Sequence, residues 1–257
     1  MSIYGLIIGF CAVIYIVYID KLVIIDSNYA KKHKYSYYFY YFLPFILGII
    51  FARIIPILEE VIKSMSNNGT LNNISLSEIF SFHMQGLSFF GAIIGGIIGL
   101  TILTRVFGIK LSRLLDHTFY ILPILQCIGR IGNFINKELY GIPTNLPWGI
   151  YIPIENRSSE YINFEYYHPT FAYEMILNAI FFIIITLVNK KSNLFKKPLL
   201  ITSIYLIYYG IIRLLLNQIR IVVGSSDIFA FLSIIIGIII LIIINLNKSS
   251  KSNIICS

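Results

Sequence analysis

Charge is scarce in this chain. Only 12% of its 257 residues are Asp, Glu, Lys or Arg, against about a quarter in a soluble domain. Hydrophobic residues make up 57%, and mean hydropathy is +0.80. With Ile-rich runs near the length of a bilayer crossing, this excludes a soluble globular domain and indicates a polytopic membrane protein. Cysteine is nearly missing too. Cys11, Cys127 and Cys256 are scattered with no CxxC pair, which argues against a disulfide framework or a zinc site. Acids are outnumbered by bases, 12 to 20. The resulting charge of +8 is distributed as a topology signal and is no nucleic-acid footprint. The start, Met1-Ser2-Ile3-Tyr4-Gly5, lacks a basic region and a small-residue cleavage site, so it reads as a retained first helix. No inverted repeat is visible between the halves, which disfavours a transporter.

What the chain does have is apolar length. Seven spans can be drawn, at about 3–19, 37–58, 80–104, 117–135, 169–188, 199–217 and 227–246. Thirteen of the twenty basic residues fall in alternate connections and the tail: Lys21, Lys31, Lys32, Lys34, Arg105, Lys110, Arg113, Lys190, Lys191, Lys196, Lys197, Lys248 and Lys251. The other connections carry mostly acids, including Glu59, Glu60, Glu78, Glu138, Glu155, Glu160 and Glu165. The positive-inside rule then puts the N-terminus outside and the C-terminus in the cytoplasm, which requires an odd number of spans. The expected fold is an all-α membrane protein: one bundle of seven transmembrane helices forming a single domain over 1–257, with an extracytoplasmic arm at about 136–168. That arm carries Trp148 and several tyrosines (140, 151, 166 and 167) suited to a bilayer interface.

Polar residues interrupt the apolar spans at few places. Gly91, Gly95 and Gly99 repeat every four residues in the third span, which permits close helix packing in lipid. Gly129-Arg130-Ile131-Gly132-Asn133-Phe134-Ile135-Asn136-Lys137-Glu138-Leu139-Tyr140-Gly141 continues a membrane-length run. Charge at that depth costs from about 2.5 to over 10 kcal/mol, so such residues normally face the bundle interior and work there. The bland alternative is an Arg130–Glu138 pair at a helix end. Glu174 is a second intramembrane charge, following His168-Pro169-Thr170. Arg213 and Asn217 are one turn apart in the sixth span, and Arg220 is expected to continue their face. By the topology above, all these groups, with Tyr4 and Arg53, fall toward the outer ends of their spans. A polar, net-basic cavity there would suit an anionic phospholipid headgroup, because arginine forks bind phosphate oxygens in pairs.

The stretch 129–141 fits G-R-x-[GA]-N-F-x-N-x-E-x-x-G, the signature of the bacterial phosphatidylglycerol–prolipoprotein diacylglyceryl transferases, which this chain resembles over nearly its whole length. Further matches are Tyr4-Gly5, Ala52-Arg53, Gly86-Leu87-Ser88-Phe89 with Gly91, His168-Pro169-Thr170 with Tyr173-Glu174, and Tyr209-Gly210 with Arg213 and Arg220. The resemblance implies transfer of diacylglyceryl from phosphatidylglycerol to the lipobox cysteine of a prolipoprotein, the first step of lipoprotein maturation, in the bacterial cytoplasmic membrane. Arg130 and Arg213 would be catalytic, stabilising the leaving phosphate. Tyr4, Arg130, Asn133, Asn136, Glu138, Gly141, His168, Tyr209, Arg213 and Arg220 would bind phosphatidylglycerol, with Asn133 and Glu138 also orienting Arg130. The expected partners are that lipid, prolipoprotein signal peptides and the bilayer, with no nucleic acid and the chain a monomer; the resemblance implies no metal and no cofactor.

The chain departs from the family pattern twice. Phe90 stands where the third span usually carries histidine or tyrosine, and phenylalanine can neither take a proton nor donate a hydrogen bond. His83 lies on the same helical face but about 10 Å away along the axis. Asn217 stands where a glutamate usually accompanies the sixth-span arginine, leaving Arg213 an amide partner and a more basic cavity. The departures motivate an alternative, a divergent paralogue that binds phospholipid or precursor without this catalysis.

Overall fold

The computed structural model describes residues 3–26, 38–66, 89–221 and 226–255. Among them are seven α-helices: α1 (Ile3–Asp26), α2 (Tyr38–Ser66), α3 (Phe89–Phe107), α4 (Leu111–Asn136), α5 (Thr170–Ser192), α6 (Leu200–Asn217) and α7 (Ser226–Ile255). Five have windows long and apolar enough to cross a membrane: Gly5–Ile25, Leu111–Asn136, Thr170–Ser192, Leu200–Asn217 and Asp227–Asn247. Two shorter apolar stretches, Tyr40–Ile54 and Ile94–Phe107, lie in α2 and α3. Their outward faces remain greasy. Ile176, Ile180, Ile183 and Ile184 of α5 and Ile235, Ile236, Ile239 and Ile243 of α7 are all exposed. That pattern suits helices solvated by lipid.

The chain divides into two compact units, residues 21–111 and residues 1–20 with 112–257. In the first, α3 lies against α2 through its glycines. A Cβ on Gly91, Gly95 or Gly99 would collide with the backbone at Phe51, Leu47 or Pro44. Close approach of two backbones is what a four-residue glycine repeat allows in lipid. Arg53 belongs to this unit.

In the second unit, α4 holds α1 through Tyr15–Thr118 and Tyr18–His117 hydrogen bonds, each 2.9 Å. Helices α6 and α7 approach at Gly210 and Gly237, where a Cβ would meet Ala230 with Ile234, or Ser203 with Ile207. The start of α6 is fixed from a distance. Leu199, just before it, is left-handed (φ 65°) and no side chain of its own caps the helix. Asp116 of α4 does so instead, 1% exposed. Its carboxylate accepts Leu199 N–H at 2.7 Å, Thr202 N–H at 2.9 Å and the Thr202 hydroxyl at 2.8 Å. The first N–H groups of a helix have no partner within it, and in an apolar surrounding they need one.

Between α4 and α5 the chain builds a small arm with its own core. Strand β1 (Ile150–Tyr151) pairs antiparallel with β2 (Tyr166–Tyr167). Ile152 and Tyr167 are fully buried. Tyr167 donates to the carbonyls of Tyr161 (2.5 Å) and Phe164 (3.0 Å), and burial pushes its phenol pKa up. Arg157 ties the intervening turns to Ile152 and Ile162 carbonyls. The expectation that all four tyrosines decorate an interface is therefore corrected for Tyr167. A β-strand paired on both sides by hydrogen bonds places that ring inside the arm.

Candidate functional site

The signature stretch ends α4 abruptly. Lys137 and Leu139 both take positive φ, 53° and 55°, a conformation that costs a non-glycine residue of order 1 kcal/mol or more unless neighbours enforce it. The neighbours do. Glu138 N–H bonds Asn133 carbonyl at 3.1 Å, the Thr170 hydroxyl bonds Leu139 carbonyl at 2.5 Å, and the Lys137 ammonium sits 4.3 Å from the Phe134 ring centre. The double turn folds Glu138 back over the last helical turn. There Asn133 Nδ2 donates to Glu138 Oε1 at 2.9 Å, and Asn136 Nδ2 reaches the same oxygen at 3.5 Å.

Arg130 is not paired with Glu138. Its Nη1 donates to Asn133 Oδ1 at 2.9 Å and its Nη2 to Glu174 Oε1. The carboxylate that neutralises it comes from α5, 44 residues on. Glu174 is 1% exposed, and its second oxygen takes Arg220 Nη2 at 2.5 Å. A chain Glu138–Asn133–Arg130–Glu174–Arg220 results, running from an exposed carboxylate to an enclosed guanidinium. A bare carboxylate at such a place would be prohibitively costly, so the two arginines are the condition for Glu174 being there. The Nε atoms of Arg130 and Arg220 are buried with no acceptor among the described residues.

Arg220 reaches Glu174 from an unexpected direction. α6 stops at Asn217, so Arg220 does not continue the Arg213–Asn217 face. It follows a turn at the end of α6 and is bridged to Gly141, with Ile142 N–H on Ile219 carbonyl at 2.9 Å. Gly141 is needed for that crossing. A Cβ there would strike Ile219 carbonyl, and would lie 2.8 Å from the Thr170 methyl and 3.0 Å from His168 Cβ. His168 frames the same junction. Its backbone bonds Gly141 and Ile142, and its Nδ1 meets the Tyr173 hydroxyl at 3.1 Å. Tyr173 in turn accepts Trp148 Nε1–H at 2.8 Å, joining the arm to α5.

On α6, Tyr209 lies within electrostatic reach of Glu174, Arg213 and Arg130, and its hydroxyl interacts with the Arg213 side chain. Asn217, expected as an amide partner of Arg213, also faces α7. Its amide donates to Asp227 Oδ1 of α7 at 2.6 Å, so a carboxylate stands beside this position after all. Next to Arg130 opens an apolar cavity of about 590 Å³, walled by Ile131, Phe134, Trp148, Phe171, Tyr173 and Ile176 among others. Of the residues singled out from the sequence, Arg130, Asn133, Asn136, Glu138, Gly141, His168, Tyr209, Arg213 and Arg220 all fall in one unit. The side chains of Tyr4 and Phe90, and His83 altogether, lie outside the described residues. Sequence reasoning placed Glu174 among the charges of the expected cavity but did not name it as Arg130's partner, and gave Tyr173 no role. The signal for Glu174 was its charge within an apolar span.

The family model for prolipoprotein diacylglyceryl transferases matches residues 1–245. The chain belongs to that family. A phosphatidylglycerol–prolipoprotein diacylglyceryl transferase of Prochlorococcus marinus (strain MIT 9301) is 38% identical over 151 residues, covering 58% of this chain and 51% of that protein. Those of Thermosynechococcus vestitus and Synechococcus elongatus are both 36% identical. The first match covers 56% of this chain and 54% of the relative, the second 62% and 57%. The chain thus spans about half the length of the curated relatives it matches. Within the transferase family's signature, the hydrogen bonds above give each specified polar residue a place. Asn133 links the arginine to the glutamate, and the final glycine makes room for the segment that carries Arg220.

Proposed function

We propose that this protein transfers the diacylglyceryl group from phosphatidylglycerol to the lipobox cysteine thiol of prolipoproteins. The observation that carries the reading is a membrane-embedded arginine, Arg130, held by Asn133 and Glu174 at the end of an apolar cavity. That combination fits a lipid whose phosphate is anionic and whose chains are not. Family membership and the names of the relatives support the same reaction.

In the balanced step the thiol sulfur bonds the glyceryl carbon that carried the phosphate. The carbon–oxygen bond breaks, the electron pair leaves on glycerol phosphate, and the thiol proton ends there too. The nucleophile belongs to the incoming precursor. Arg130 and Arg213 hold the phosphodiester and stabilise the charge growing on its oxygen, which requires preorganised donors and no proton transfer from the enzyme. Tyr4, Tyr209 and His168 contact the headgroup. Asn133, Asn136 and Glu138 fix the arginine in place, and Gly141 and Arg220 close the junction behind it. The chain acts as a monomeric single domain of seven spans in the bacterial cytoplasmic membrane, with its N-terminus outside and the arm at the outer surface.

The test is turnover in detergent with phosphatidylglycerol and a lipobox peptide. Formation of the thioether-linked lipopeptide with glycerol phosphate release is expected. A well-folded protein that binds the lipid and forms neither product would overturn the reading and leave a non-catalytic paralogue.

A further inference from the structure

Three charges meet in the interior of the second unit where an apolar packing would be at least as stable. Replacing a buried ion triad by hydrophobic side chains is often neutral or stabilising, so stability alone does not account for Arg130–Glu174–Arg220. Two features point to a ligand. The triad is unbalanced, two guanidinium charges against one carboxylate, and so carries +1. Each arginine gives Glu174 a terminal nitrogen, while both Nε donors are buried with no acceptor among the described residues. A buried unpaired donor is costly, and guanidinium groups favour presenting two nitrogens to one oxyanion. Arg130 also lines the cavity, whereas Arg220, 5% exposed at its side chain, is enclosed.

We propose that Glu174 and Arg220 are positioning residues that set the charge of the headgroup site. Arg220 neutralises Glu174, and Glu174 aims Arg130, so beside Arg213 the triad adds one net positive charge rather than two, which favours a singly charged phosphodiester over a doubly charged headgroup. This rests on the reading above for the identity of the lipid, and on the geometry alone for the charge selectivity. Arg220 works through Glu174 and touches no reacting atom.

The experiment measures binding of the full chain in nanodiscs to labelled phosphatidylglycerol, phosphatidic acid and phosphatidylcholine. Wild type should favour phosphatidylglycerol. Glu174→Gln adds one positive charge to the site and should shift the preference toward phosphatidic acid by about tenfold, the scale of one partly screened interior charge. Arg220→Gln removes one and should narrow the discrimination between phosphatidylglycerol and phosphatidylcholine by about as much. Glu174→Asp should keep the wild-type order. A merely structural role would move both glutamine variants the same way, and equal losses for all lipids would overturn the proposal. So would unchanged ratios in whichever variant inserts. Because the readout is binding, a wild-type protein that selects lipids as stated but shows no turnover would sink the transferase reading alone.

Discussion

Two carboxylates of this protein are equally buried and do opposite things. Asp116 and Glu174 are each 1% exposed. Asp116 lies 14 residues before Arg130 on α4, about 21 Å along the helix at 1.5 Å per residue. Its oxygens are taken by two backbone N–H groups and a threonine hydroxyl at the start of α6. Every partner is neutral and belongs to the protein's own frame. Glu174 has instead two guanidinium partners, each with a donor unpaired among the described residues, and an apolar cavity beside one of them. Burial by itself does not mark a functional carboxylate. The charge of its partners and their unused capacity do.

The comparison breaks most sharply at Arg130. Arg130→Ala should leave insertion intact and reduce lipid transfer by about a thousandfold, as expected for removing a main stabiliser of developing charge. Transfer within tenfold of wild type would remove Arg130 from the chemistry. At the other end, Asp116→Ala leaves the α6 N-terminus without its acceptor and should cost about 2–3 kcal/mol of stability. Thermal unfolding in detergent measures that loss, while turnover per folded molecule stays within twofold. If activity fell and the melting temperature did not, the two carboxylates would not divide as described.

How much of this was legible in the sequence follows from the same contrast. The helices were readable because apolar length is a local property. Predicted spans at about 117–135 and 199–217 meet α4 (Leu111–Asn136) and α6 (Leu200–Asn217) within a few residues. The cluster 130–138 stood out because charge in an apolar run is conspicuous. Pairings across the fold were not readable. Glu138 is eight positions from Arg130 and was the obvious counter-charge, yet the double left-handed turn hands it to Asn133 and leaves Arg130 to Glu174. Arg220 keeps helical spacing with Arg213, but α6 ends before it. Asp116 went unnoticed because its partners come more than 80 residues later.

Smaller effects sharpen the picture around the arginines. Gly141→Ala pushes a methyl into Ile219 carbonyl and Thr170, and should cost about 1–2 kcal/mol through the shift it forces. The displaced segment carries Arg220, so lipid transfer should fall more than stability does. Trp148→Phe removes only the indole hydrogen bond to Tyr173, worth about 0.5–1.5 kcal/mol. A modest rise in KM for lipid with unchanged kcat is expected, read from initial rates.

The most direct test of the central claim is complementation. This chain is expressed in a bacterium depleted of its own diacylglyceryl transferase, beside the Arg130→Ala and Asp116→Asn variants, with membrane levels matched and lipidation of a reporter lipoprotein measured. The account predicts lipidation by the parent chain and by Asp116→Asn, and none by Arg130→Ala. Lipidation by Arg130→Ala at the parental level would contradict it.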